Sequence, residues 1–157
     1  MPPGAVVFDG AGVALVPGEH WKELRSGPDT EEHHICLPVL MGDGELTGVM
    51  IQVFSSPTDK SNPEKRAASL RTHVDLRPEA IKDSFKQENF TTEAGLAGVH
   101  VNYDLAIEVN GRKIMSRNHV YIVQNALDAS VVVSVSAVAS PDLEPVHQML
   151  RKTLRLK

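Results

Sequence analysis

Between Val99 and Val109 the apolar residues Val99, Val101, Tyr103, Leu105, Ile107 and Val109 fall on alternate positions, with His100, Asn102, Asp104, Ala106, Glu108 and Asn110 between them. A period of two with one apolar side predicts a strand with one buried face. Asn110-Gly111 follows, the pair best suited to the positive φ angles of a type I′ turn, so a two-residue loop sets Val109 opposite Arg112. Counting outward pairs Glu108 with Lys113 and Asp104 with Arg117 on the polar side, and Ile107 with Ile114, Val101 with Val120 and Val99 with Ile122 on the other.

The same pattern runs on. Ala129 to Ala137 alternates Val131, Val133 and Val135 with Ser130, Ser134 and Ser136. A four-residue loop after Val123 sets Ile122 opposite Val131 and Val120 opposite Val133, which carries the hairpin's apolar face into a third strand of a meander. A helix from about Asp142 presents Leu143, Val146, Leu150 and Leu154 as its apolar stripe and should pack on the valine face.

Upstream, Val6–Phe8 and Val13–Val16 flank Asp9-Gly10-Ala11-Gly12 as a small hairpin. Glu32–Leu40 and Leu46–Phe54 read as strands, the second apolar on both sides (Val49, Ile51, Val53; Met50, Phe54) and therefore central. Ser61-Asn62-Pro63-Glu64 starts a helix, with Ser61 as cap and Glu64 in the capping-box position. Ala67, Leu70 and Val74 form its narrow stripe, and Pro78 ends or restarts it. A second helical piece from Pro78 to Gln87 would carry Ile81 and Phe85.

The sum is an α+β chain: one domain over residues 1–157, with an antiparallel sheet of six or seven strands and helices packed on it. At 157 residues the chain can bury a core without metal or disulfide support, and its single cysteine, Cys36, excludes an internal disulfide. The net charge of −4 argues against nucleic acid as a partner. Arg151, Lys152, Arg155 and Lys157, the one basic cluster, suit the negative end of a terminal helix. The N-terminus has no basic start and too short an apolar run for a secretory signal, and no segment is apolar enough to insert in a membrane. A cytoplasmic location is the default expectation.

Pro17 with Trp21, the strand Gly48–Phe54 running through Ser55-Ser56-Pro57 into a helix, Thr92-Glu93-Ala94-Gly95-Leu96-Ala97-Gly98 before a long strand, and the terminal Met149-Leu150-Arg151-Lys152-Thr153-Leu154 together resemble the PsbP-like and Mog-like superfamily. The resemblance implies a layered αβα module that acts without chemistry of its own, as in photosystem II extrinsic subunits, a Ran-binding factor, bacterial lipoproteins and Eag-type secretion chaperones. It transfers no functional residue to a position here. No lipoprotein cysteine stands near the N-terminus and no plastid targeting segment is seen.

In the hairpin register His100 lies across from Tyr121, Asn102 from His119 and Asp104 from Arg117, which makes this polar face the candidate surface for a protein partner or ligand. A plain solvated sheet face accounts for the same residues. His34 and Cys36 share a face with Glu32 if the strand is regular, so they are the candidate metal ligands, against a Cys36 that is simply buried. Trp21 is either a core plug or an exposed anchor.

No phosphate-binding glycine loop and no Gly-x-Ser-x-Gly elbow is present, so no catalytic residue is nominated and no cofactor is implied. The functional expectation is a non-enzymatic accessory, chaperone or adaptor module that binds a protein. The alternative is a small-molecule-binding or enzymatic domain with a pocket between the sheet and the C-terminal helix. The sequence leaves the partner's identity and the oligomeric state open.

Overall fold

The computed structural model describes residues 1–25, 34–138 and 141–157. Strands β1 (Val6–Phe8) and β2 (Val13–Leu15) form the opening hairpin. The main sheet holds β3 (Trp21–Leu24), β4 (Ile35–Gly42), β5 (Val49–Ser55), β6 (Lys86–Thr91), β7 (Ala97–Val109), β8 (Arg112–Gln124) and β9 (Ser130–Val138). Its order is β3-β4-β5-β9-β8-β7-β6, antiparallel throughout. Helices α1 (Pro63–Asp75) and α2 (Glu144–Thr153) complete the α+β fold, and a last strand, β10 (Arg155–Leu156), pairs with β2 to make a separate three-stranded sheet. No described helix is long and apolar enough to cross a membrane.

The β7–β8 register is the one counted from Asn110-Gly111, from Val109 opposite Arg112 to Val99 opposite Ile122. Both turn residues carry positive φ, 52° and 77°, as a type I′ turn requires.

The β8–β9 register differs from the expected one by a single residue. Val123 pairs with Val131, Ile122 with Val132 and Tyr121 with Val133. The cause is the loop: the ladder closes at Gln124 and Ser130, leaving five residues between them, and Asn125 Oδ1 accepts from the backbone N–H of both Leu127 and Ala129. A one-residue slip exchanges the faces. Val131, Val133 and Val135 therefore continue Tyr121 and Val123, and the apolar face of the hairpin (Val99, Val101, Val120, Ile122) looks the other way.

Each face has its own cover. On one side Val131, Val133 and Val135 pack with Val146 and Leu150 of α2, with Leu154 at its C-terminal cap, and with Phe8, Val13 and Leu15 of the small sheet, all at most 2% exposed. The C-terminal helix does sit on the valine face, and its four stripe residues are all buried. Burying a Leu or Phe of this kind is worth about 1.5–3 kcal/mol. On the opposite side Ala67 and Val74 of α1 pack on Val99, Val101, Val120 and Ile122.

The start of α1 differs from the sequence expectation. Asn62, not Ser61, is the cap: its Oδ1 accepts from the Lys65 N–H at 2.8 Å, with Pro63 in the first turn. The second helical piece does not form. After α1 the chain runs as turns past the edge of β7, where Ile81 N–H donates to Asp104 O and Ala106 N–H to Glu79 O, and then enters β6. Phe85 stacks on Tyr103, 6.2 Å between ring centres.

Candidate functional site

The one-residue shift places the hairpin's polar face on the side of α2, so the upper half of that face is covered. His100 is 5% exposed and Tyr121 1%. Their rings are parallel, 4.4 Å apart. Phe90 from β6 packs 4.8 Å from Tyr121, and His147 from α2 brings its Nδ1 to 2.8 Å from the Tyr121 hydroxyl. Sequence reasoning missed Glu88, Phe90 and His147. Phe90 is the single apolar residue of β6, and His147 flanks Val146 on the packed side of α2, but neither signal has meaning until the face covered by α2 is known.

A hydrogen-bonded chain runs through the cluster. Glu88 Oε1 lies 2.8 Å from His100 Nδ1, and His100 Nε2 lies 2.8 Å from His119 Nδ1. A carboxylate only accepts, so His100 donates from Nδ1; its Nε2 then accepts from His119 Nδ1–H, and His119 Nε2 is left with a lone pair. Burial sets the protonation states. It lowers His100 below the usual histidine range although Glu88 pulls the other way, and together with the neighbouring His100, His147 and Arg117 it brings His119 down to about 4. The hydrogen bond from His100 lowers the Glu88 carboxyl, and burial raises the Tyr121 phenol. At neutral pH the chain is carboxylate, neutral imidazole, neutral imidazole.

The lower half of the face stays open. Asn102, Asp104, Arg117 and His119 line a cleft of about 350 Å³ with Lys86 and Ser84. Asp104 Oδ1 and Arg117 Nε stand 3.6 Å apart, both groups partly exposed. Thus four of the six residues singled out from the register share one cleft, while His100 and Tyr121 lie beneath it in the core and reach it only through His119.

Beyond the cleft the hairpin outruns the sheet. β9 pairs with β8 only as far as Ser116, β6 pairs with β7 only as far as Asn102, and the Glu79–Ile81 turn follows β7 to Ala106. Residues 107–114 have no further strand beside them among the described residues. They form a two-stranded arm of about 10 Å, at 3.4 Å per residue pair. Val109 on it is 41% exposed and Met115 at its root 43%.

The other candidates separate. His34 has a positive φ of 54° and precedes β4, which breaks the alternation; it lines the α1 side of the sheet while Cys36 packs in the core on the α2 side. Glu32 lies outside the described residues. Among the described residues no three His, Cys, Asp or Glu side chains are grouped to hold a metal ion. Trp21 is partly buried against the α2-side core. Leu150 and Leu154, both 0% exposed, occupy the space between α2 and the sheet with the valines.

The fold and this face define an α+β protein with a mixed-charge cleft at the root of a projecting hairpin. The chain matches no family model and no curated protein.

Proposed function

We propose that the protein is a non-enzymatic binding module, an adaptor or chaperone for another protein, which it holds with the β7–β8 arm and the cleft at the arm's root. The observation that carries this reading is the arm itself. A two-stranded ribbon is marginally stable in water, so strands continued beyond their sheet gain little for folding and expose Val109 and Met115. Met115 shares its face of the hairpin with Arg117 and His119, and Val109 projects from the opposite face of the arm beside Arg112. An exposed methionine beside an arginine and a histidine is the composition of a protein-binding surface.

The cleft supports binding over turnover. Asp104 is engaged with Arg117, and His119 Nδ1 with His100, so these groups hold one another in place. His119 Nε2 is a fixed acceptor for a donor on the partner. Its low basicity at about 4 suits it to accept a hydrogen bond without taking the proton.

Affinity capture with the intact protein, a Met115→Ser variant and an Arg117→Ala variant tests this. A partner retained by the intact chain should be lost or weakened at least about tenfold with Arg117→Ala, the range for a charged contact at an interface. A partner retained equally by all three proteins removes the arm and cleft as the binding surface.

A further inference from the structure

On the opposite face of the sheet, α1 covers β7 and β8 but not β5 and β9. This leaves a cleft of about 390 Å³ whose floor is Phe54, Leu70, Tyr103, Val120 and Val132. One end is polar, formed by Ser55, Ser130, Asp59 and Arg66. An apolar body with a few convergent polar groups, in the 300–1,000 Å³ range, is the usual form of a small-molecule site.

Two observations give the polar end a specific chemistry. The Ser130 hydroxyl is the one buried side-chain polar atom among the described residues with no hydrogen-bond partner, and Ser130 projects on the same face of β9 as Val132 and Ser134. A buried hydroxyl without a partner is costly, and a rotation about χ1 can turn it to a ligand oxygen. The second observation is Arg66. Its Nε stands 3.8 Å from Asp59 Oδ2, too far for a hydrogen bond, and its side chain makes none among the described residues.

Asp59 is differently placed. Its Oδ1 accepts from the Ser61 N–H at 3.0 Å, and that bond holds its carboxyl below the usual range, so it remains an anion. One cation beside one fixed anion leaves this end with no net charge, so a carboxylate is held there by hydrogen bonds from the Arg66 guanidinium rather than by excess charge. Phosphates and dicarboxylates, which bring more negative charge beside Asp59, are disfavoured.

We infer that this cleft is a binding site for a small amphipathic monocarboxylate: the carboxylate on Arg66, within reach of Ser130, and a short hydrocarbon body over Phe54, Leu70 and Val132. The site is on the other face from the cleft at the arm's root and shares no lining residue with it.

The probe is octanoate, with octanol and octylamine as its uncharged and cationic counterparts, followed by calorimetry and by backbone amide shifts on the intact protein. Octanoate should bind more tightly than octanol and shift residues of β5, β9 and α1. Arg66→Ala should weaken octanoate at least about tenfold while changing octanol little, as loss of a charge-assisted hydrogen bond does. Leu70→Trp, a half-exposed position on α1, fills the cleft and should abolish both; Ser134→Phe does so from the sheet side if the first variant folds poorly. No octanoate binding at millimolar concentration, octylamine binding as well as octanoate, or full octanoate binding in both cleft-filled variants would each overturn the assignment.

Discussion

His100 and Tyr121 face each other across β7 and β8 with their rings parallel to within 1° and 4.4 Å apart, and each passes a hydrogen bond to a different neighbour. His100 links Glu88 to His119; Tyr121 links the sheet to His147 on α2. One stacked pair thereby joins an edge strand, the central hairpin and the C-terminal helix.

Tyr121→Phe keeps the stack and removes only the bond to His147. The loss should be about 1 kcal/mol in urea unfolding, the net worth of one partly buried hydrogen bond. With His147→Ala already in place, the same substitution should cost clearly less. Equal costs in both backgrounds would show that the hydroxyl does not couple α2 to the sheet.

Acid should destabilise the fold before its carboxylates titrate. Folded His119 sits at about 4 against 6.5 for the free side chain, so between these values the unfolded chain binds a proton that the folded chain excludes. Stability is full above pH 6.5 and declines as pH falls toward 4. His100 is shifted the same way, and Glu88, lowered from 4.5, adds a further loss only at lower pH. The groups facing His119 act together: His100, His147 and Arg117 disfavour its proton and Glu88 favours it. A decline of about 2 kcal/mol from pH 7 to pH 4.5 is expected from His119, discounted for its partial exposure. His119→Gln should flatten the slope; an unchanged slope would place the effect elsewhere.

Gly98 is fixed by a close approach of backbone. A Cβ there would fall on the Ile122 carbonyl and against the Val123 side chain. Gly98→Ala must push β7 away from β8 and should cost more than about 2 kcal/mol, near the upper range for overpacking. Gly95→Ala is the contrasting variant. Gly95 has open space around it and a φ of +86°, so its cost comes from the backbone alone, about 1 kcal/mol.

The hairpin was legible because an Asn-Gly turn fixes register, and register fixes every pair outward from it: His100 with Tyr121, Asn102 with His119 and Asp104 with Arg117 all follow from Asn110-Gly111. The neighbouring loop carries no such signal. Asn125 holds a five-residue connection through its own side chain, and the resulting slip decided which face α2 would cover, and so which of the candidate residues stay accessible. Edge strands were illegible for a different reason. β6 exposes five of its six residues, so Lys86–Thr91 has no apolar alternation to read. The helical spacing of Ile81 and Phe85 was real but local, and pairing with β7 overrode it.

The start of α1 distinguishes two neighbouring residues of similar capping chemistry. Asn62→Ala removes the bond to the Lys65 amide and should cost about 1 kcal/mol. Ser61→Ala leaves that bond intact, and because the Ser61 backbone N–H still reaches Asp59, its cost should be smaller. Urea midpoints of the two variants give the order directly, and a larger loss at Ser61 would reassign the cap.

The projecting arm can be separated from the fold that carries it. Replacing Glu108–Lys113 by Asn-Gly retains the Ile107–Ile114 pair, the outermost pair with contact to the α1-side core through Ile107, and closes it with the same two-residue turn. The removed residues are exposed, Val109 among them at 41%, so global stability should change by less than about 1 kcal/mol. Partner capture should fall sharply in the same variant. A large loss of stability would mean that the arm is part of the folding unit after all, while unchanged stability together with unchanged capture would leave the arm with no part in binding.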